Sequence, residues 1–170
     1  GIARACPGYP ISSRISIFDL LPYQKGADGV GEPMGWEGPY PYAFGGDGTG
    51  RGMDPDLREP VALVRLMQKY GVDLICATVG SPYSNPHVQR PAYYPVSDGY
   101  LMPENPLYNV SRHIAASRRI KELCPEIKIV GSGLTCLQEY LSNAAEYSVA
   151  NREMDFAGIG RMVLSYPDIC

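Results

Sequence analysis

The chain has 170 residues, 45% hydrophobic and 19% charged, and 15 Lys and Arg against 18 Asp and Glu leave a net charge of -3. That is enough chain for one domain with a sizeable core, in a composition that suits a globular protein and not a disordered or fibrous one. The negative balance supplies no basic field for nucleic acid or an anionic membrane surface, and no apolar run reaches the ~20 residues that span a bilayer.

The opening stretch "GIARACP" reads as the end of a helix, stopped by Pro7 because proline cannot continue the hydrogen-bond ladder. It has neither an initiator Met nor a charged-then-apolar leader, so it reads as a piece of something longer, from a soluble, cytoplasmic protein. "PISSRISIF" follows as a strand. Ile11, Ile15 and Ile17 form its apolar face, and alternation puts Ser12, Arg14 and Ser16 on the other.

"VALVRLMQKYGVDLICATVG" places Val61, Leu63, Val64, Leu66 and Met67 at helical spacing, stops at Gly71 and continues as a strand. "RHIAASRRIKELCPEIKIVGSG" and "LQEYLSNAAEYSVANREMDFAGIG" repeat the theme. Four helix-then-strand units with near-continuous apolar strands predict a parallel sheet with crossover helices.

The links from helix to strand are short, whereas the first two strands lead into long segments, roughly residues 19 to 55 and 80 to 108. All the elaboration therefore lies beyond the strands' C-terminal ends, where parallel α/β proteins build ligand sites. The first segment holds ten of the 19 glycines, from Gly26 to Gly52, with Trp36, Tyr40, Tyr42 and Phe44 among them, and reads as a lid or pocket wall. The second, "SPYSNPHVQRPAYYP", has the same character.

Three features carry chemistry. Arg14 projects from a strand whose other face packs on helices, and an inward guanidinium needs either an anionic ligand or an internal carboxylate. In "IVGSGLT", Gly131, Ser132 and Gly133 end a strand just before a helix expected near Thr135. Free N–H groups there can face an anion, or the glycines can simply make a tight turn. In "DFAGIGRMVLSYPD", Gly160 precedes Arg161 at the end of the next strand. Two consecutive strand ends, one offering N–H donors and the other a glycine and a cation, match the phosphate site of the last two strands of a βα barrel.

Other residues invite blander readings. The five cysteines, Cys6, Cys76, Cys124, Cys136 and Cys170, form no CxxC pair and read as reduced core residues. His87 reads as a residue that structures its loop, with contact to a substrate as the alternative. His113 reads as a surface or helix-packing residue, and Arg118, Arg119 and Lys121 as a solvated helix face. "NVS" at 109 to 111 reads as a helix start capped by Asn109 or Ser111.

In order and spacing, "RIS", "GVDLICATVG", "NPHVQRP", "IVGSG" and "DFAGIGRMVLSYPD" resemble the old yellow enzyme family of NADH:flavin oxidoreductases. The resemblance covers essentially the whole chain but only the second half of the family's barrel. It implies that residues 1 to 170 are a partial FMN-binding domain, strands five to eight of a (β/α)8 TIM barrel with long βα loops. It further implies that Arg14 contacts the flavin ring near N1 and O2, that the backbone at Ser132, Gly133 and Leu134 holds the FMN phosphate, and that Gly160 and Arg161 complete the clamp. The implied activity passes hydride from NADH or NADPH through the flavin to an activated, α,β-unsaturated alkene. The family's substrate-polarising pair, tyrosine proton donor and flavin-N5 neighbour belong to the first half, so no catalytic residue is assigned here and the chain alone is expected to be inactive.

The implied partners are a small-molecule substrate and either the missing N-terminal half or a second half-barrel. A single Cys170 supports no iron–sulfur cluster. The alternatives are a non-catalytic anion-binding half-barrel, or another FMN barrel such as a dehydrogenase of amines or hydroxy acids.

Overall fold

The computed structural model describes residues 1–41, 43–46, 48–49, 55–93 and 99–169. Tyr42, Gly50, Gly52, Tyr94, Pro95 and Cys170 lie outside these ranges. The described strands are β1 (Ile11–Ser16), β2 (Tyr23–Lys25), β3 (Gly31–Pro33), β4 (Val72–Thr78), β5 (Lys128–Gly131) and β6 (Phe156–Ala157). The helices are α1 (Ile2–Ala5), α2 (Arg58–Lys69), α3 (Pro86–Gln89), α4 (Pro106–Leu123) and α5 (Leu141–Ala150), with 3-10 turns at Leu134–Tyr140, Arg161–Leu164 and Pro167–Ile169.

Four strands form one sheet in the order β1-β4-β5-β6, and each neighbouring pair is parallel. Each crossover advances by one strand in the same direction, so right-handed connections carry α2, α4 and α5 to a single face. That face is the core. Ile75, Ala77 and Ile129 from the strands and Ile17 just beyond β1 pack with Val61, Val64, Ala116, Ile120 and Leu141 from the helices, and all are buried. The expected helix-then-strand units are all present, in a mixed α/β fold.

The other sheet face is open among the described residues. Register aligns Arg14, Cys76, Val130 and Phe156 in one row across the four strands. Arg14 and Ser12 are exposed, Phe156 is 51% exposed, and Cys76 and Val130 are only half-buried. The alternation along "ISSRIS" therefore runs as read, with Arg14 away from the helices.

Several elements differ from the sequence reading for identifiable reasons. The first long segment contains a hairpin, in which β2 and β3 pair antiparallel around a turn where Asp28 Oδ1 accepts from Val30 N–H at 2.9 Å and Gly29 has φ +82°. The Asp28-Gly29 pair is a turn signal whose flanking strands are too short to announce themselves. Helix α4 starts at Pro106, where Asn105 caps it by accepting from Leu107 N–H at 3.0 Å. Asn109 lies buried inside the helix and accepts from Arg112 at 2.6 Å, so neither Asn109 nor Ser111 is the cap. The helix expected near Thr135 begins as a 3-10 turn, and Gln138, at φ 50°, separates it from α5.

Lys121 is not part of a solvated face. Its ammonium pairs with Asp155 at 2.7 Å and donates to the carbonyls of Pro125 at 3.1 Å and Ile127 at 2.9 Å. Arg118 and Arg119 do sit outside, paired with Glu122. Asp155 in turn fastens β6 to β5. Its carboxylate accepts from Ile129 N–H at 2.9 Å and from Lys128 at 3.1 Å, and its own N–H donates to Ile129 O at 2.9 Å. Burial pushes its carboxyl upward, but the bonds from Lys121, Ile129 and Lys128 outweigh that and hold it below the usual range.

Replacing Asp155 by Ala leaves the Ile129 N–H without its acceptor and should lower the unfolding free energy by about 1–3 kcal/mol. Urea denaturation measures this, and an unchanged midpoint would mean that β6 is held by its backbone bonds and packing without help from this carboxylate.

Candidate functional site

The C-terminal ends of β5 and β6 are forced close together. Gly158 N–H donates to Gly131 O at 2.7 Å, and a Cβ at Gly158 would stand 2.8 Å from that same oxygen. A Cβ on Gly131 would run into the side chain of Met154. Only two glycines allow this approach, which explains the glycine spacing of the two strand ends.

Beyond β5 the chain turns at Ser132 and Gly133. Gly133 has φ +81°, and a Cβ there would lie 2.6 Å from Cγ of His113. Conformation and space both demand glycine. Ser132 Oγ donates to Ala77 O at 2.6 Å and lies 3.3 Å from His113 Nδ1, so the hydroxyl is held inward by β4 and α4. Leu134 is buried and opens the 3-10 turn. The first N–H groups of such a turn have no carbonyl behind them.

Beyond β6, Gly160 precedes the turn Arg161–Leu164, and among the described residues no atom other than those of its chain neighbours lies within 4 Å of the position its Cβ would occupy. Arg161 is exposed and lines a cleft of about 620 Å³ together with Thr135, Gln138, Glu139 and Tyr166. The neighbouring strands β5 and β6 thus send both turns out at one edge of the sheet, and Arg161 shares its cleft with Thr135, which follows Leu134. Glu139 sets a negative charge in the same cleft and limits its anion preference.

Arg14 stands apart. It lies on β1, two strand spacings from β5 or roughly 10 Å away, beside Cys76 and on the open face. Burial raises the Cys76 thiol above its usual range, and the charge of Arg14 opposes that rise. Among the described residues Arg14 and Arg161 have no ion-pair partner, and neither do Arg4, Arg65, Arg90 and Arg152, whereas Arg58, Arg112, Arg118 and Arg119 each have a carboxylate. The internal salt bridge weighed for Arg14 is not found among them.

Two buried polar residues organise this edge: Asn85, which the sequence reading passed over, and His113, for which the helix-packing reading holds and the surface one does not. Asn85, fully buried, donates to the carbonyls of Leu20 at 3.3 Å and Leu21 at 3.1 Å and accepts from Ser81 N–H at 2.8 Å, which ties the segment after β1 to the segment after β4. His113, 1% exposed, bonds through Nε2 to Val88 O at 3.0 Å. The spacing Val110, His113, Ser117 and Ile120 places it on the buried stripe of α4, a signal present in the sequence.

His87 structures its loop. Its Nδ1 meets Tyr100 OH at 2.7 Å, and its ring packs 4.5 Å from that of Tyr23 on β2. The hairpin and the second segment therefore form one layer over the sheet edge, joined again by Gly31 N–H donating to Leu101 O at 2.9 Å.

Among the described residues no cluster of His, Cys, Asp and Glu is placed to hold a metal ion, and no helix is long and apolar enough to cross a membrane. No protein-family model, curated protein or solved structure matches the chain.

Burial pushes both histidines down to about 4: Glu104 opposes and Arg112 reinforces the shift at His87, and the Val88 bond opposes it at His113. Between pH ~6.5 and ~4 the unfolded chain then binds more protons than the folded one, so stability falls as pH drops, by up to about 1.4 kcal/mol per pH unit for each histidine. Urea unfolding at pH 7 and pH 5 should show roughly half the loss in His87→Gln. An identical loss in the variant would mean that His87 is not held neutral.

Proposed function

We propose that this chain is the second half, strands five to eight, of an FMN-binding βα barrel from an old yellow enzyme-type oxidoreductase of the cytoplasm. The observation that carries the reading is the pair of adjacent strand ends, one running into a glycine turn and the start of a 3-10 element and the other into a glycine and an arginine with no carboxylate partner among the described residues. The parallel sheet in chain order supports the half-barrel, because its helices lie on one side and its open face aligns Arg14, Cys76, Val130 and Phe156 toward what would be the barrel interior.

The residues present fit the group that this reading requires. Open space at Gly160 admits a phosphate against the backbone. Arg161 can grip it through two parallel donors, and the N–H groups at Gly133 and Leu134 can complete the clamp. Ser132 contributes its backbone, since its hydroxyl is already engaged with Ala77 O at 2.6 Å. Arg14 holds a fixed positive charge on the open face, suited to the edge of a flavin ring that gains negative charge on reduction.

When bound, FMN supplies the hydride chemistry between a reduced nicotinamide and an alkene conjugated to a carbonyl. The chain's own work is to bind and orient. Substrate polarisation falls to a complementary half of the barrel, so the isolated chain binds without turning over.

FMN titration followed by fluorescence tests the clamp. Arg161→Ala should weaken binding at least about tenfold, while Arg118→Ala should leave it unchanged; equal effects would remove the phosphate assignment. The chain extended by the preceding four βα units should be yellow and oxidise NADH in the presence of an enone. A colourless extended protein after addition of FMN would overturn the flavin reading, and a yellow one that does not oxidise NADH would favour another FMN barrel.

A further inference from the structure

We infer that His113 is a positioning residue for the anion-binding turn and transmits to it the position of the loop after β4; this rests on the phosphate reading above. The ring is buried in the N-terminal half of α4, behind the sheet, with polar contacts on both nitrogens. A carbonyl oxygen only accepts, so the contact of Nε2 with Val88 O at 3.0 Å places the ring proton on Nε2 and leaves Nδ1 as an acceptor. Burial keeps the ring neutral, which is consistent with that tautomer.

On the other side, the Ser132 hydroxyl lies between two acceptors, Ala77 O at 2.6 Å and His113 Nδ1 at 3.3 Å. Its one proton points mainly to the nearer and is shared with the farther in a three-centre bond, which holds the hydroxyl on the inside of the turn. Above the ring, Gly133 in its left-handed conformation passes so close that even a methyl group would collide with Cγ and Cδ2. The imidazole is thus the floor on which the turn lies. A floor of different shape or without the Nδ1 lone pair lets Ser132 rotate and changes the direction of the Gly133 and Leu134 N–H groups.

The connection continues outward. Val88 belongs to α3, is fully buried and lies in the same segment as Asn85, whose amide reaches the chain after β1. Three consecutive strand ends are therefore linked through two buried side chains, Asn85 and His113. Displacement of α3 pulls on Nε2 and reaches the turn through a rigid ring.

Comparing FMN with riboflavin, which lacks the phosphate, isolates the turn from the rest of the site. In amide NMR spectra of the chain, FMN should shift Gly133, Leu134, Gly160 and Arg161, and riboflavin should not. His113→Phe should weaken FMN about tenfold and leave riboflavin unchanged. His113→Gln, whose amide can donate to Val88 O and accept from Ser132, should restore most of the loss.

Equal weakening of both ligands by His113→Phe, or no effect on FMN, would overturn the positioning role while leaving the clamp in place. Absence of FMN shifts at Gly133 and Leu134 in the unaltered chain would instead remove the phosphate reading, and this inference with it. If His113→Phe does not fold, Ser132→Ala decides. A selective loss of FMN supports the arrangement, and unchanged FMN binding overturns it.

Discussion

Parallel pairing is the constraint from which the rest of this molecule follows. Parallel neighbours cannot be joined by a tight turn, so every connection must travel back along the sheet, and here helices do so after each of the first three sheet strands. All strands then finish at the same edge. Everything that leaves a strand, including the hairpin β2–β3, helix α3 and the two glycine turns, is gathered there. The opposite edge receives only short links, and its main feature is the Lys121–Asp155 pair, which ties the end of α4 to the start of β6.

At the loaded edge, two kinds of polar group coexist. Asn85, His87 and His113 are buried, and each has partners within hydrogen-bond distance, as burial requires. Arg14 and Arg161 are exposed and lack ion-pair partners among the described residues. The first group is costly to disturb because a lost partner leaves a desolvated donor or acceptor. The second costs little to hold in water, and its charge is available. A buried, internally satisfied frame with exposed cations at its edge is the arrangement that the proposed phosphate site requires.

Much of this was legible in the sequence. Helical spacing in "VALVRLM" and the apolar runs in "DLICATV" and "IKIVG" gave the layered α/β order, and period-two alternation gave the direction of Arg14. Glycine spacing in "VGSG" and "AGIG" indicated close approach, though not that Gly131 and Gly158 approach each other. What stayed hidden depends on contacts distant in sequence. Asn85 caps carbonyls more than sixty residues away, and the role of His113 depends on Val88 and Ser132. A local window sees His113 as one polar residue on a helix. Lys121 misled for the same reason, since its partner Asp155 lies in another unit.

The open sheet face limits what can complete the structure. Leu74, Cys76, Val130 and Phe156 offer apolar surface there, and Phe156 alone is 51% exposed. Covering it with another apolar face would return hydrophobic free energy, yet the same row contains Arg14. A purely apolar cover would strip water from that guanidinium and give nothing back, at a cost that exceeds the gain from the neighbouring side chains. A second copy of the same face would bring a second unpaired Arg14 and make the balance worse. Whatever lies over this face has to present an anion or a dense set of acceptors opposite β1 and apolar surface opposite β5 and β6. A polar-edged aromatic ring system has that asymmetry; a plain hydrophobic sheet does not.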